Sequence, residues 1–287
     1  MGFKDKLKEE LREKLTEKEL SLLPRGFQTL GKTIILKLKP ELYDKKELIS
    51  EACLRFFPSI KSIYLNLGKI SGKFREPEKI EHLAGVNNPL VEHIEHRIRY
   101  RFDLTKIMFS KGNLAERKYL TTLVKPGEII VDMFAGIGYF SLPIGKHSQP
   151  EKIYSIEFNP ESYKYLVENI KINHLEKLII PIKGDSKEEV LKLSSSGITA
   201  DRVIMGVFPA PKDFIKESLS LTKEHGTFFH YEGVTDRENY ESLFKEFEEI
   251  AERESYKCKL ESYRFVKSYG PNLYHITLDI LVIPKEK

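Results

Sequence analysis

The chain has 287 residues, of which 40% are hydrophobic and 31% charged, with a formal net charge of +4. This balance excludes a disordered chain, because it supplies enough apolar side chains for a core, and two isolated cysteines exclude a disulfide framework or a cysteine-based zinc site. There is no apolar run of the roughly 20 residues that a membrane helix needs, and the first residues lack the apolar block of a secretory signal. We therefore expect a cytoplasmic protein without a membrane or a metal partner. The mild positive charge permits nucleic acid as a partner but does not require it.

Residues 1–105 are predicted to form a small α+β module. The first 20 residues indicate one charged amphipathic helix, because Phe3, Leu7, Leu11 and Leu15 recur at four-residue spacing, and Pro24 ends it. The following segments predict, in order, a loop and a strand (26–38), a helix (46–57) and two short strands around a glycine (62–74).

Residues 106–287 are predicted to form a doubly wound α/β domain, because strand and helix patterns alternate. Strands are predicted at 128–135, 152–158, 178–185, 201–207, 226–233, 258–267 and 273–283, and helices at 139–146, 160–173, 213–222 and 239–254. The Ser-rich stretch 194–197 indicates a surface loop. The last two strands are consecutive, which predicts an antiparallel hairpin at the edge of a mixed sheet.

A Gly-rich turn follows the first strand of this domain. Gly136 and Gly138 would let backbone approach a ligand closely, but Ser at position 141 breaks the dinucleotide fingerprint G-x-G-x-x-G. Glu157, 21 residues after Gly136, ends the next strand. A carboxylate at this place can accept hydrogen bonds from both ribose hydroxyls of a nucleoside. Asp185 ends the third strand, where it can accept from an adenine amine. Asp132, Glu157 and Asp185 are expected to line one crevice that binds S-adenosylmethionine, although each alone could be a solvated helix cap.

Three long segments, 101–113, 131–147 and 156–173, together with the pair Glu116-Arg117, carry a resemblance to a known family. They resemble the family that groups tRNA guanine-37 methyltransferases with wybutosine-synthesis aminocarboxypropyltransferases. The turn Gly-Ile-Gly-Tyr-Phe, the Lys-Gly-Asn after Ser110 and the Met205-Gly206 strand end favour the archaeal-type aminocarboxypropyltransferase branch, as does the ending His230-Tyr231-Glu232. The prolines of 207–211 partly resemble the methyltransferase branch instead, and 230–232 has no second histidine.

The resemblance implies a class I S-adenosylmethionine-dependent methyltransferase-like doubly wound sheet with a small N-terminal α+β module. It implies a transferase that moves the 3-amino-3-carboxypropyl group of S-adenosylmethionine to 4-demethylwyosine at position 37 of phenylalanine tRNA, releasing methylthioadenosine. The alternatives are a tRNA guanine-37 methyltransferase and a non-catalytic RNA-binding protein that keeps a cofactor pocket. The donor contacts that the resemblance implies are Ser110, Arg117, Glu157, Asp185 and Ser186, with the Gly136 turn beneath the ligand.

The donor's amino-acid arm requires a polar anchor, and Ser110 and Arg117 are our candidates, because Arg binds a carboxylate with two parallel hydrogen bonds. The competing interpretations are a helix cap for Ser110 and a surface ion pair with Glu116 for Arg117. No general base is assigned. His230 and Glu232 could position the base or take up a proton, whereas Glu116 is expected to be a solvated helix charge.

Basic and aromatic residues indicate where tRNA could bind. The stretch 97–102 would place Arg97, Arg99 and Arg101 on one face of a strand for phosphate contact, with apolar residues on the other. The alternative is an edge strand whose charges discourage aggregation. Further candidate contacts are Lys73, Phe74, Arg75, Tyr263, Arg264, Lys267 and Tyr269. We expect a monomer that binds the anticodon loop of phenylalanine tRNA.

Overall fold

The computed structural model describes residues 2–68, 70–71 and 76–285. The chain divides into two compact units, Met1–Phe109 and Ser110–Lys287, and each has its own hydrophobic core. Among the described residues, no helix combines the length and the apolar character that crossing a bilayer requires. Nor do the described His, Cys, Asp and Glu side chains include a group of three or more arranged to hold a metal ion.

Two helices, α1 (Phe3–Leu11) and α2 (Glu17–Leu22), replace the single helix predicted for residues 1–20. The second begins at a capping box: a Glu19 carboxylate oxygen accepts from the Thr16 N–H at 2.7 Å, and Thr16 Oγ1 accepts from the Glu19 N–H at 3.3 Å. Because these bonds satisfy the N–H groups of a new first turn, the chain ends one helix and starts another. The three leucines of the four-residue pattern, at positions 7, 11 and 15, all lie in the core of the first unit.

The rest of the first unit consists of helix α3 (Lys46–Phe56) and short strands. The strands are β1 (Gln28–Leu30), β2 (Thr33–Leu36), β3 (Ser62–Asn66), β4 (Ile70–Ser71), β5 (Glu76–Pro77), β6 (Ile80–Gly85), β7 (Leu90–Glu95) and β8 (Ile98–Asp103). They form a four-stranded sheet in the order β1-β2-β3-β6 and two separate antiparallel pairs, β4-β5 and β7-β8. The α+β character predicted for this part of the chain is therefore observed.

The second unit contains one seven-stranded sheet in the order β11-β10-β9-β12-β13-β15-β14. Its strands are β9 (Ile129–Asp132), β10 (Lys152–Glu157), β11 (Ile179–Lys183), β12 (Arg202–Met205), β13 (Thr227–Thr235), β14 (Tyr256–Gly270) and β15 (Leu273–Pro284). Its helices are α4 (Leu114–Leu123), α5 (Ser141–His147), α6 (Pro160–Ile172), α7 (Ser186–Ser195), α8 (Ile215–Ser218) and α9 (Tyr240–Arg253). Strands β9 to β13 run parallel to one another, whereas β15 is antiparallel to both β13 and β14. The predicted mixed sheet with an antiparallel edge hairpin is confirmed.

Two helices of the second unit differ from the prediction. Helix α7 includes Ser194 and Ser195, which were expected in a loop, because Val190 and Leu193 of the same helix are buried and Asp185 caps its first turn. The helix predicted at 213–222 is instead the short α8 between two 3₁₀ turns, Lys212–Phe214 and Leu219–Leu221. In both segments tertiary packing decides the local conformation.

The strand order places a reversal of the chain's direction across the sheet at β9. Its neighbours are β10 on one side and β12 on the other, so the order of strands reverses direction at β9. In an open α/β sheet, ligands bind at the carboxyl ends of the strands that flank such a reversal. The residues that follow β9, β10, β11 and β12 are therefore the candidates for a site.

Candidate functional site

The turn after β9 is joined to the end of β10 through the Glu157 carboxylate. Glu157 Oε2 accepts from the Gly136 N–H, and Oε1 accepts from the Asn159 N–H, both at 2.7 Å. Gly136 has a φ of +59°, and a Cβ there would lie 2.6 Å from the ring of Tyr139. The turn thus requires glycine at position 136 for both conformation and space.

The half-buried Glu157 carboxylate has a raised pKa. Burial raises its pKa to about 7, and the nearby Asp132 carboxylate adds to the increase, while the N–H bonds from Asn159 and Gly136 oppose it. Each of its oxygens accepts one backbone bond and keeps another lone pair. The carboxylate can therefore hold the turn and accept hydroxyl groups of a ligand together.

Asp132 does not line the crevice, contrary to the expectation for the three acidic strand ends. Its side chain is fully buried, and its Oδ2 accepts from the Ser141 hydroxyl at 2.6 Å. Ser141 in turn accepts from the Ser155 hydroxyl at 2.7 Å, and burial raises the pKa of Asp132 to about 6. Asp132 therefore fixes the base of the Gly-rich turn from beneath instead of facing a ligand.

Asp185 and Ser186 lie where the sequence placed them, at the end of β11 and the start of α7. Asp185 Oδ1 accepts from the Lys187 N–H at 2.9 Å, so this residue caps the helix. The buried Ser186 hydroxyl donates to the Met133 carbonyl and thereby ties α7 to the turn after β9. Direct contact of these two residues with a donor stays a prediction.

Ser110 lies between two cationic side chains. The Arg117 guanidinium donates to the Ser110 carbonyl at 2.7 Å, and the Lys267 ammonium donates to the Ser110 hydroxyl at 3.0 Å. The Ser110 side chain does not cap the following helical turn by a hydrogen bond, contrary to one of the two interpretations of this residue. Arg117 is only 3% exposed and lies 4.8 Å over the ring centroid of Tyr139, so it is not a surface ion-pair partner.

Glu116 belongs to a buried network, and the expectation of a solvated charge is wrong. Its carboxylate binds Arg264 at 2.7 Å and lies 3.3 Å from His230 Nε2. Asp279 binds the same two partners, at 2.5 Å from Arg264 and at 2.9 Å from His230 Nδ1. Two carboxylates and two cations thus lie together between α4 and the strands β13, β14 and β15.

The network changes the titration of its members. Burial acts to raise the pKa of Glu116, but His230 and Arg264 outweigh it and lower the value to about 2. Burial acts to lower the pKa of His230, but Asp279 and Glu116 raise it to about 9. His230 is therefore a cation at neutral pH, held by a carboxylate on each ring nitrogen.

The side chains of His230 and Glu232 are buried and do not lie at an exposed rim of the sheet. His230 is fully buried and Glu232 is 1% exposed. This placement argues against the direct contact with the target base that was predicted for His230, because both ring nitrogens face carboxylates. Glu232 Oε2 lies 3.2 Å from Nε2 of the buried His275, and a Cβ on Gly206 would lie 3.4 Å from the same oxygen. The pair thus packs beneath the segment after β12.

Two family descriptions match this chain. The TRM5/TYW2 methyltransferase domain matches residues 91–260, and the TYW2 N-terminal domain matches residues 7–88. The chain belongs to the TRM5/TYW2 family. The resemblance and the fold class inferred from the sequence are confirmed.

Relatives of this TRM5/TYW2 chain extend over most of its length. The tRNA(Phe) (4-demethylwyosine(37)-C(7)) aminocarboxypropyltransferase of Methanocaldococcus jannaschii is 34% identical over 253 residues, covering 88% of this chain and 96% of the relative. The tRNA (guanine(37)-N(1))-methyltransferase Trm5b of Pyrococcus abyssi is 31% identical, covering 91% and 76%. The crystal structure of P. horikoshii TYW2 in complex with MeSAdo has a TM-score of 0.81 and 30% identity, covering 98% and 99%.

The residues predicted to contact tRNA lie in different settings in this TRM5/TYW2 chain, and their contact with tRNA stays a prediction. Arg99 and Arg101 lie in β8, and the apolar residues that alternate with them, Ile98, Tyr100 and Phe102, are buried as predicted. Arg97 does not share their face, because it precedes the strand with a φ of +65°. Arg75, with its neighbours 73 and 74, lies outside the described residues.

The C-terminal candidates for tRNA contact fall into two groups. Tyr263 and Tyr269 are 43% and 53% exposed, so both remain open to a partner. Arg264 is held in the buried network, where it cannot reach a phosphate while it pairs with Glu116.

Sequence reasoning missed the roles of Glu116, Arg264, His275 and Asp279. One signal was present: polar residues at 275, 277 and 279 alternate along a strand that otherwise reads as apolar. The structure shows that these three are buried. A period of two with polar residues on an inward face indicates a buried polar network, provided that the strand is known to be covered on both faces.

Proposed function

We propose that this chain transfers the 3-amino-3-carboxypropyl group of S-adenosylmethionine to C7 of 4-demethylwyosine at position 37 of phenylalanine tRNA. The observation that carries the proposal is the pairing of Glu157 with the Gly136 N–H at the strand reversal of a chain whose relatives of nearly equal length are named for this transfer.

The residues at this edge fit the donor. Glu157 keeps a lone pair on each oxygen for ribose hydroxyls, and Gly136 leaves the backbone of the turn unobstructed. Asp185 uses Oδ1 for the helix cap, which leaves Oδ2 to accept from the adenine amine. These groups would hold the adenosine part along the ends of β9, β10 and β11.

The proposed reaction breaks one carbon–sulfur bond and forms one carbon–carbon bond. When bound, S-adenosylmethionine supplies a positively charged sulfur whose three attached carbons are all open to nucleophilic attack. The bond to the amino-acid arm breaks, C7 of the base gains that arm and loses a proton, and methylthioadenosine leaves as a neutral thioether. No residue is assigned as the base that takes the proton.

Orientation of the donor decides which group moves. A reacting carbon must lie within roughly 3–3.5 Å of the nucleophile. In this chain Arg117 holds the Ser110 carbonyl, and the ring of Tyr139 joins Arg117 to the Gly-rich turn. The segment that carries Ser110 is thus held rigidly beside the turn, as an anchor for the arm requires.

Methyl transfer to the same nucleotide is the second candidate. It is favoured by the 31% identity to the P. abyssi guanine-37 methyltransferase and by the 30% identity to the tRNA 4-demethylwyosine(37)-methyltransferase Taw21 of Saccharolobus solfataricus. It would use the same adenosine contacts but would present the methyl carbon to the base.

Two labelled donors distinguish these reactions. With tRNA that carries 4-demethylwyosine, carboxyl-labelled S-adenosylmethionine should label the tRNA, while methyl label should appear only in released methylthioadenosine. Methyl label in the tRNA would establish the methyltransferase. Binding of donor and tRNA with no transfer of either label would indicate the non-catalytic RNA-binding protein. Glu151→Gln, one residue before the strand that Glu157 ends, is the matched control for substitutions of Glu157, because Glu151 is exposed.

We also propose that the N-terminal part of the chain contacts tRNA, with the predicted domain division at about residue 105. Arg99 is exposed on β8, and Arg101 lies on the same face of this hairpin strand, which suits contact with successive phosphates. The cytoplasmic location and the monomeric state expected from the sequence remain predictions.

A further inference from the structure

Lys267 of β14 reaches across to the segment before α4. Its ammonium donates to the Ser110 hydroxyl at 3.0 Å, although the two residues are 157 positions apart in the chain. Its aliphatic stem lies on Gly112, where a Cβ would be 2.7 Å from Lys267 Cδ. The absence of a side chain at position 112 therefore gives the lysine its path to Ser110.

Lys267 is the more accessible of the two cations at Ser110. Arg117 is 3% exposed, lies over the ring of Tyr139 and donates to the Ser110 carbonyl. Lys267 is only partly buried, and its ammonium donates directly to the Ser110 hydroxyl. A ligand carboxylate that reaches Ser110 would meet the lysine before the arginine.

A continuous set of contacts leads from the adenosine side of the site to Lys267. Glu157 accepts from Gly136, the ring of Tyr139 packs against Gly136, and Arg117 lies over that ring. Arg117 then binds Ser110, and Ser110 binds Lys267. The cationic end of this series lies opposite to the acidic end at Glu157. This arrangement suits a donor whose neutral ribose hydroxyls donate hydrogen bonds at one end and whose carboxylate is negative at the other.

We propose that Lys267 binds the α-carboxylate of the donor's amino-acid arm, next to Ser110. The inference rests on the proposed use of S-adenosylmethionine and assigns one end of its arm to the C-terminal hairpin. The ligand carboxylate would replace the Ser110 hydroxyl as the acceptor of the Lys267 ammonium. The Ser110 hydroxyl would then donate to the same carboxylate. Arg117 acts through Ser110 and is a positioning residue.

The anchor has a consequence for the choice of the transferred group. With the carboxylate held at β14 and the ribose held at β10, the arm is stretched between two fixed points, and its carbon next to sulfur is confined. Proximity of that carbon to the base then follows from the distance between the two anchors. A donor without the carboxylate would lose this confinement.

Three ligands and three variants test the proposal by calorimetric binding. The ligands are S-adenosylmethionine, its decarboxylated form, whose arm ends in the amine alone, and methylthioadenosine, which has no arm. Lys267→Met should weaken S-adenosylmethionine binding about tenfold or more, because a charge-assisted bond is lost, and should leave the other two ligands within about twofold of the wild type. Lys267→Arg should restore most of the difference. The control is Lys259→Met on the same strand, since this lysine is exposed and pairs with Glu261.

The outcomes separate this inference from the proposed function. Equal weakening of all three ligands by Lys267→Met would mean that the lysine only supports the fold, and it would overturn the inference. Unchanged binding of S-adenosylmethionine would overturn it as well. If the wild type binds none of the three ligands, the proposed function fails and the inference with it. If the wild type binds S-adenosylmethionine normally but Lys267→Met does not weaken it more than the two ligands without a carboxylate, the inference fails and the proposed function stands.

Discussion

The raised pKa of Glu157 predicts that adenosine binding depends on pH near neutrality. Only the ionised carboxylate can accept from both ribose hydroxyls while it accepts from two backbone N–H groups, since the protonated form uses one oxygen as a donor. Its pKa is about 7 in the ligand-free protein because it is buried. Hydroxyl binding favours the ionised form, so affinity should rise as the pH rises through this value.

The magnitude follows from the ionised fraction. With a pKa of about 7, about nine-tenths of Glu157 is ionised at about pH 8 and about one-tenth at about pH 6. If only the ionised form binds well, the dissociation constant should increase about tenfold as the pH falls from about 8 to about 6. Asp132, whose own pKa is raised to about 6, is close enough to broaden the transition.

Methylthioadenosine is the ligand of choice for this measurement, because it keeps the ribose and carries no charged arm. Calorimetric titration at several pH values should show the tenfold change in the wild type and in Glu151→Gln. Glu157→Gln should bind about 1.5–3 kcal/mol more weakly at the higher pH and should show no pH dependence. Whichever way the amide is turned, its NH₂ meets a backbone donor, either the Gly136 or the Asn159 N–H. A flat wild-type profile, or a variant that keeps the slope, would refute the reasoning.

Three further predictions concern the buried network, the turn and the tRNA surface. His230→Gln should lower the free energy of unfolding in urea by about 3–5 kcal/mol, because it leaves two buried carboxylates to share one cation. The wild type should also lose stability as the pH rises through about 9, since the pKa of His230 in the folded protein lies above its ordinary value. An equal loss of stability with pH in wild type and variant would contradict this. Gly136→Ala should abolish measurable donor binding while circular dichroism stays native, because its Cβ would strike Tyr139 at a φ of +59°. Arg99→Gln and Arg101→Gln should each lower the salt slope of tRNA binding by about 0.7–0.9 for each phosphate contact that is lost, and an unchanged slope would move the contact elsewhere.

Local patterns predicted most elements of the second unit but misjudged two helical segments. Strand β10 and helix α6 were predicted almost to the residue, because an apolar run and a proline at the first helical position are short-range signals. The break between α1 and α2 was missed because the leucine spacing continues through it, so periodicity alone does not show where hydrogen bonding restarts.

The sequence by itself determined the Gly-rich turn, the position of the Glu157 carboxylate at the end of the following strand and the membership of a family, because each depends on residues close together in the chain. Only the tertiary structure decided the fate of the charges around Ser110 and Glu116. Arg264 is 148 positions from Glu116, and Lys267 comes from the outermost strand of the sheet. A period-two pattern gives neither the neighbour of a strand nor its register, so no local signal could show which carboxylate would be buried and which cation would reach it.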